Sequence, residues 1–160
     1  MIMQKRPSAL KILNTREKKD LFKEINEQYG IEKSILDKYE YLERSDKIWL
    51  TTRCALSKDL SDLKMEGIGM LFARRSATLK LTTNAIQLFG KHATKNILEL
   101  DNADAQNYLR GLDLENISSR EKFISSYVIV KFGNDYLGCA IYKDNRVKNQ
   151  LPKQRRIKKF

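Results

Sequence analysis

A chain of 160 residues, 41% hydrophobic and 32% charged, suits one ordinary domain or two small ones that lean on each other, since a core much below ~70 residues is thin alone. No run approaches the ~18 apolar residues of a membrane span, and the start, MIMQKRPSALKIL, lacks the apolar stretch and small-residue cleavage site of an export signal, so a soluble cytoplasmic protein with no membrane partner is expected. The formal charge of +11 is unevenly placed: residues 1–24 carry +4, residues 25–142 carry zero and residues 143–160 carry +7.

After a loose basic opening with Pro7 and Ser8, Leu21, Phe22, Ile25 and Tyr29 recur at helical spacing. They predict an amphipathic helix capped by Asn14 or Thr15 and ended by Gly30. A short helical piece is expected at Ser34–Lys38. Tyr39 and Tyr41, then Ile48 and Leu50, alternate around Arg44-Ser45-Asp46-Lys47 and predict two strands with a tight polar turn. A helical turn is expected at Ala55–Leu60. The stretch KMEGIGMLFARRSATLKL then reads as one or two buried strands, interrupted where Arg74 and Arg75 meet solvent.

TTNAIQLFG predicts a short helix with Thr82 or Thr83 as cap and Gly90 as stop. NILELDNADAQNYLRGLDL predicts a strand, then a helix capped by Asp101 whose apolar stripe is Ala105, Tyr108, Leu109 and Leu112, ended by Gly111. Ser118–Lys122 reads as a polar loop. YVIVKF, YLGCAIY and RVKN are parted by Gly133-Asn134-Asp135 and Lys143-Asp144-Asn145, residues that tolerate the left-handed conformations of tight hairpins. This predicts an antiparallel meander of the kind that closes into a small barrel.

Little in the chain points to catalysis. His92 is the single histidine, so no multi-histidine metal site can be assembled within one chain, and its place beside Lys91, just after a helix-ending glycine, points to a surface or RNA-facing residue rather than the base of a Ser-His-Asp or Cys-His site. EGIGM lacks the third glycine and the strand-to-helix frame of a dinucleotide loop, and no phosphate-binding G-x-x-x-x-G-K-[ST] occurs. Cys54 and Cys139 fit no metal or redox spacing; Cys139 is expected in the core and Cys54 at the surface. Neither an enzymatic activity, a cofactor nor a metal is expected. Basic ends on a balanced body fit a polyanion, because clustered Lys and Arg displace the counterions condensed on phosphates. Tyr142, bordering the Lys143–Lys148 turn, is the aromatic residue best placed to stack on a base.

From about Thr78 to Arg156 the order of elements resembles a PUA domain, a small RNA-binding barrel. The resemblance is carried by YLRGLDL after a helix, the YVIVKFGNDYLGCAIY hairpin and the closing RVKNQLPKQRR. The last of these is similar to the PUA-like region of Sun/Fmu-type RNA cytosine-5 methyltransferases. Those enzymes also have a glycine-rich S-adenosylmethionine loop and cysteines in Pro-Cys and Thr-Cys contexts. Here Cys54 follows Arg53 and Cys139 follows Gly138, so the resemblance implies RNA binding without methyl transfer. The layout also resembles a two-domain PUA ribosome-biogenesis factor of archaea and eukaryotes.

The expected fold is therefore α+β: a small N-terminal α/β domain at residues 1–75, with its basic arm, packed on a C-terminal PUA-type mixed β-barrel with short helices at residues 76–160. The expected function is recognition of structured rRNA or tRNA in RNA modification or ribosome biogenesis, alongside an RNA-modifying enzyme or a pre-ribosomal protein. The alternative is a basic adaptor that docks an acidic protein such as a separate RNA methyltransferase. Arg146, Lys148, Lys153, Arg155 and Arg156 are expected to contact phosphates, with Arg74, Arg75, Lys80 and Lys91 extending that surface. Asn149, carrying both donor and acceptor, is expected to read base edges, with Gln150 beside it. Arg146–Arg156 should be ordered and Ile157–Phe160 free.

Overall fold

Asn14 opens the first helix through a reciprocal capping box: its side chain accepts from the Glu17 amide, and the Glu17 carboxylate accepts from the Asn14 amide, both at 2.9 Å. This satisfies two of the amides a helix start leaves unpaired. The helix, α1 (Thr15–Tyr29), stops at Gly30, whose φ of 69° is a left-handed cap that a side chain would resist. The computed structural model describes residues 9–57, 59 and 64–159. Part of the basic N-terminal arm, with Lys5 and Arg6, and Leu60 of the expected helical turn lie outside the described residues.

Two sheets follow the sequence pattern. The first is antiparallel, in the order β1 (Lys11–Ile12), β2 (Glu40–Arg44), β3 (Lys47–Thr51), β4 (Met70–Arg75) and β5 (Leu79–Leu81). The β2–β3 turn places Ser45 at φ 55°. The second sheet runs β6 (Ile97–Glu99), β7 (Tyr127–Phe132), β8 (Asp135–Lys143) and β9 (Arg146–Asn149), with β6 parallel to β7 and the other pairs antiparallel. Helices α2 (Lys33–Leu36), α3 (Thr83–Phe89) and α4 (Asn102–Leu109) complete the chain, with Thr82 and Asp101 capping the last two. A 3₁₀ turn at Arg53–Ser57 stands where part of the Ala55–Leu60 helix was expected. Among the described residues no helix is long and apolar enough to cross a membrane.

The α+β class and the short helices are as expected, but the sheets are open and no closed barrel forms. Strands β6 and β9 have three and four residues, and on the outer side of β9, among the described residues, an isolated bridge from Leu114 to Val147 stands in place of a further strand. Closure needs strands long enough to tilt and stagger around the axis. Here the segment from α4 to Ile117 covers the sheet instead, adding Tyr108, Leu114 and Ile117 to a core with Val128, Val130, Ala140 and Val147. Leu112, expected in the α4 stripe, lies past the end of the helix and is 51% exposed.

The larger core crosses from one sheet to the other. It holds Leu21, Phe22, Tyr41 and Phe72 of the N-terminal elements, Leu79, Leu81, Ile86 and Phe89 of β5 and α3, and Ile129 and Cys139 of the second sheet. Edge-to-face rings run through it from Phe22 to Tyr41, Phe72, Phe89 and Tyr39 at 5.3–5.7 Å between centroids. Such pairs add to the free energy of burial. Buried Gln28 joins the layers too, donating to the Leu79 carbonyl at 2.8 Å and to Ser125 at 2.9 Å. A cut between residues 75 and 76 falls in the β4–β5 turn, and β5 pairs with β4 in the first sheet.

Candidate nucleic-acid interface

Strand β9 alternates: Val147 and Asn149 are buried while Arg146 and Lys148 are exposed. The register sets Lys143 opposite Arg146 and Ile141 opposite Lys148. Residues paired across strands share a face, so Lys143, Arg146 and Lys148 make a cationic row at the edge of the sheet. Just past the strand, Gln150 accepts a 2.6 Å hydrogen bond from Lys80 of β5. The Lys80 ammonium also lies 5.8 Å from the Tyr127 ring centroid. The row is thereby joined to the first sheet.

Beyond Lys80 a cleft of about 330 Å³ opens between the β4–β5 hairpin and the C-terminal turn; Arg74, Asn84, Pro152 and Arg155 are among its walls. Arg155 donates to the side-chain oxygen of Asn84, and Arg74 pairs with Asp46 at 3.0 Å while staying exposed. The cationic residues expected at the site thus fall into groups. Arg74, Lys80 and Arg155 converge on the cleft, next to Arg146 and Lys148. Lys153 and Arg156 lie on the far side of the turn, in a shallow groove with Leu112, Ile157 and Lys158. Lys91 lines a separate groove with Tyr136. Arg75 is held by Glu24 at 2.7 Å and Glu43 at 3.4 Å, away from the cleft.

Three residues take places the sequence did not foretell. Asn149 is turned inward: its amide donates to the Tyr108 and Leu112 carbonyls at 2.7 and 3.1 Å, and its oxygen accepts from the Leu151 amide at 2.8 Å. With both amide hydrogens committed, it has none to give a base edge. Tyr142 is half-buried and engaged within the fold, its ring in a T-shaped pair with Phe123 at 4.8 Å and its hydroxyl 2.9 Å from the Ile117 carbonyl. Ile157, expected to be free, donates its amide to the Leu109 carbonyl at 2.9 Å. Arg156 fixes the turn before it, donating from Nε to the Leu151 carbonyl at 3.2 Å and lying across Gly111, where φ is 89° and any Cβ would collide with the guanidinium.

Lys143 belongs to the row, yet sequence reasoning passed it over as a turn residue; counting alternate positions from buried Cys139 through Ile141 would have found it. Cys139 is buried on the cleft floor, which raises its thiol pKa to about 12 despite the opposing effect of Lys80. Cys54 is exposed. Among the described residues no cluster of His, Cys, Asp and Glu is gathered to hold a metal.

Residues 95–157 match the family model for the methyltransferase RsmF PUA domain. The C-terminal part of the chain is of the PUA type. Over 143 residues, 89% of its length, the chain is 25% identical to ribosomal RNA small subunit methyltransferase F of Aeromonas salmonicida and 26% identical to that of Aeromonas hydrophila. It spans 28% of the length of these curated relatives. The solved structure of a conserved PUA domain protein from Thermoplasma acidophilum shares 14% identity, with a TM-score of 0.59 over 92% of this chain and 97% of that one. At that identity the likeness concerns the fold, and it takes in the first sheet as well as the PUA segment. The cationic row and the C-terminal wall of the cleft lie on the PUA segment, and Arg74 and Lys80 come from outside the matched residues.

Proposed function

We propose that the chain binds structured RNA of the ribosomal or transfer class in the cytoplasm and serves RNA modification or ribosome assembly without carrying the chemistry itself. The observation that carries this reading is the cationic row of Lys143, Arg146 and Lys148, continued by Lys80, Arg74 and Arg155 along one side of a PUA-type fold. Regularly placed cations on a strand edge match the repeat of phosphates and fix register without reading sequence. The relatives, named as ribosomal RNA methyltransferases, support an RNA partner. Residues 1–75 then serve as a second wall for the site on residues 76–160, and an RNA-modifying enzyme or pre-ribosomal protein would act on the RNA so held.

The test is the salt dependence of affinity for a labelled RNA hairpin. Each phosphate contact contributes about 0.7–0.9 to the slope of log K against log salt. Replacing Lys143, Arg146 and Lys148 together by Ala should therefore flatten that slope by about 2–3 units. A wild-type slope at wild-type affinity would remove the row from the interface.

A second reading, an adaptor for an acidic protein, is favoured by one observation: exposed Leu112 and Ile157 lie in a groove with Lys153, Arg156 and Lys158. Nucleic acid that copurifies at low salt and leaves at high salt supports the first reading. A stoichiometric acidic protein in its place supports the second.

A further inference from the structure

The cleft differs in kind from the row that leads to it. Its floor is apolar, made by Leu71, Leu81 and Cys139, and no Asp or Glu lines it. Hydrogen bonding sorts the polar rim. Asn84 and Gln150 use their carbonyl oxygens to accept from Arg155 and Lys80, so these two acceptors of the rim are engaged. The Asn84 amide nitrogen has no partner among the described residues and, with the Arg74, Lys80 and Arg155 cations, leaves the cleft rich in N–H donors. An acid-free concavity with an apolar floor and a rim of donors fits a flat, partly apolar ring that carries oxygen acceptors and a phosphate.

Size narrows the choice further. A volume of about 330 Å³ sits at the low end of the roughly 300–1,000 Å³ of small-ligand sites. It has room for one nucleotide and none for a base pair, whose two rings are held in a stack by their neighbours. We infer that this cleft takes a single unpaired nucleotide of the bound RNA, its base over Leu71 and Leu81 and its phosphate and carbonyl oxygens on the rim donors. The inference rests on the RNA-binding reading and adds to it a preference: the row follows the backbone of a helix, while the cleft, walled by both sheets, demands a base that has left the stack. Unpaired bases are also the ones whose edges a protein can reach in RNA.

The experiment compares two end-labelled RNA hairpins by fluorescence anisotropy, one with a fully paired stem and one with a single-nucleotide bulge, 2-aminopurine at the bulge reporting on its surroundings. Wild-type protein should bind the bulged stem about tenfold tighter, the worth of one good charge-assisted contact, with a change in 2-aminopurine emission. Asn84→Ala, which removes the unpaired donor, and Gln154→Trp, which fills the mouth, should each bring the ratio of affinities close to one. Circular dichroism melts establish that each variant is folded; should one fail, the other and the wild-type ratio still decide. Equal wild-type affinities for the two stems, or a tenfold ratio that survives in a folded variant, would overturn the cleft assignment while leaving RNA binding standing. Failure to bind either stem at low salt would overturn both.

Discussion

Asn149 shows how one side chain's surroundings override its chemical promise. In the sequence it is an amide among bases, well suited to a base edge; in the fold it ties the end of β9 to α4 and the loop that follows, through three hydrogen bonds. Asn149→Ala would leave the Leu112 carbonyl and the Leu151 amide without their side-chain partner, while the Tyr108 carbonyl would keep only the Gly111 amide. Unsatisfied buried groups cost about 1–3 kcal/mol each and partial relaxation lowers the sum, so a loss of about 2–4 kcal/mol in urea unfolding is expected. Unchanged stability together with an altered choice among RNAs would restore it as a base reader. Cys139 is the second case. Burial raises its thiol pKa from 9.0 to about 12, so the unfolded chain gives up this proton first, and the stability the neutral thiol contributes is complete below pH 9.0 and lost as pH climbs toward about 12. At pH 8.5 iodoacetamide should label exposed Cys54 in the native protein and reach Cys139 only in denaturant; native labelling of both would contradict the buried floor of the cleft.

At the scale of elements, what was legible in the sequence is what local chemistry determines. Helix α1 is written in its Asn14–Glu17 capping box and Gly30 stop, and the hairpins in residues that tolerate positive φ, with Ser45 at 55° and Asp144 and Asn145 at 51° and 59°. The period-two pattern of β7, β8 and β9 likewise needs only near neighbours. What was not legible depends on partners far along the chain. Arg75 reads as a free cation beside Arg74 until Glu24 and Glu43 are brought to it, and exposed pairs of this kind, worth at most ~1 kcal/mol, leave no mark on periodicity. That β5 belongs to the first sheet, and that the second sheet stays open, are properties of strand pairing between elements. The same division holds for the candidate site: the C-terminal bases could be named from composition, whereas the alignment of Lys143 with Arg146 and the meeting of Lys80 with Gln150, 70 residues apart, exist only after the strands have paired.

For the whole molecule, the decisive feature is that the larger core has no seam at residue 75. Leu79, Leu81 and Phe89, which follow that point, pack with Tyr41 and Phe72, which precede it, and with Ile129 and Cys139 of the second sheet. Burying a large apolar side chain contributes about 1.5–3 kcal/mol, and net domain stability is only about 5–15 kcal/mol, so losing several of these contacts at once should exceed what either part has to spare. The full chain is therefore expected to unfold in one transition. Its single tryptophan, Trp49 on β3, reports on the first sheet, and far-UV circular dichroism reports on both. Fluorescence and dichroism should trace coincident urea curves, and a fragment of residues 76–160 should show no cooperative transition of its own. Two separated transitions, or a fragment that melts cooperatively, would mean that the PUA-type part stands alone and that the cleft between the sheets is a joint able to open; coincident curves and an unfolded fragment would mean that Arg74 and Arg155 face each other across a cleft with fixed walls.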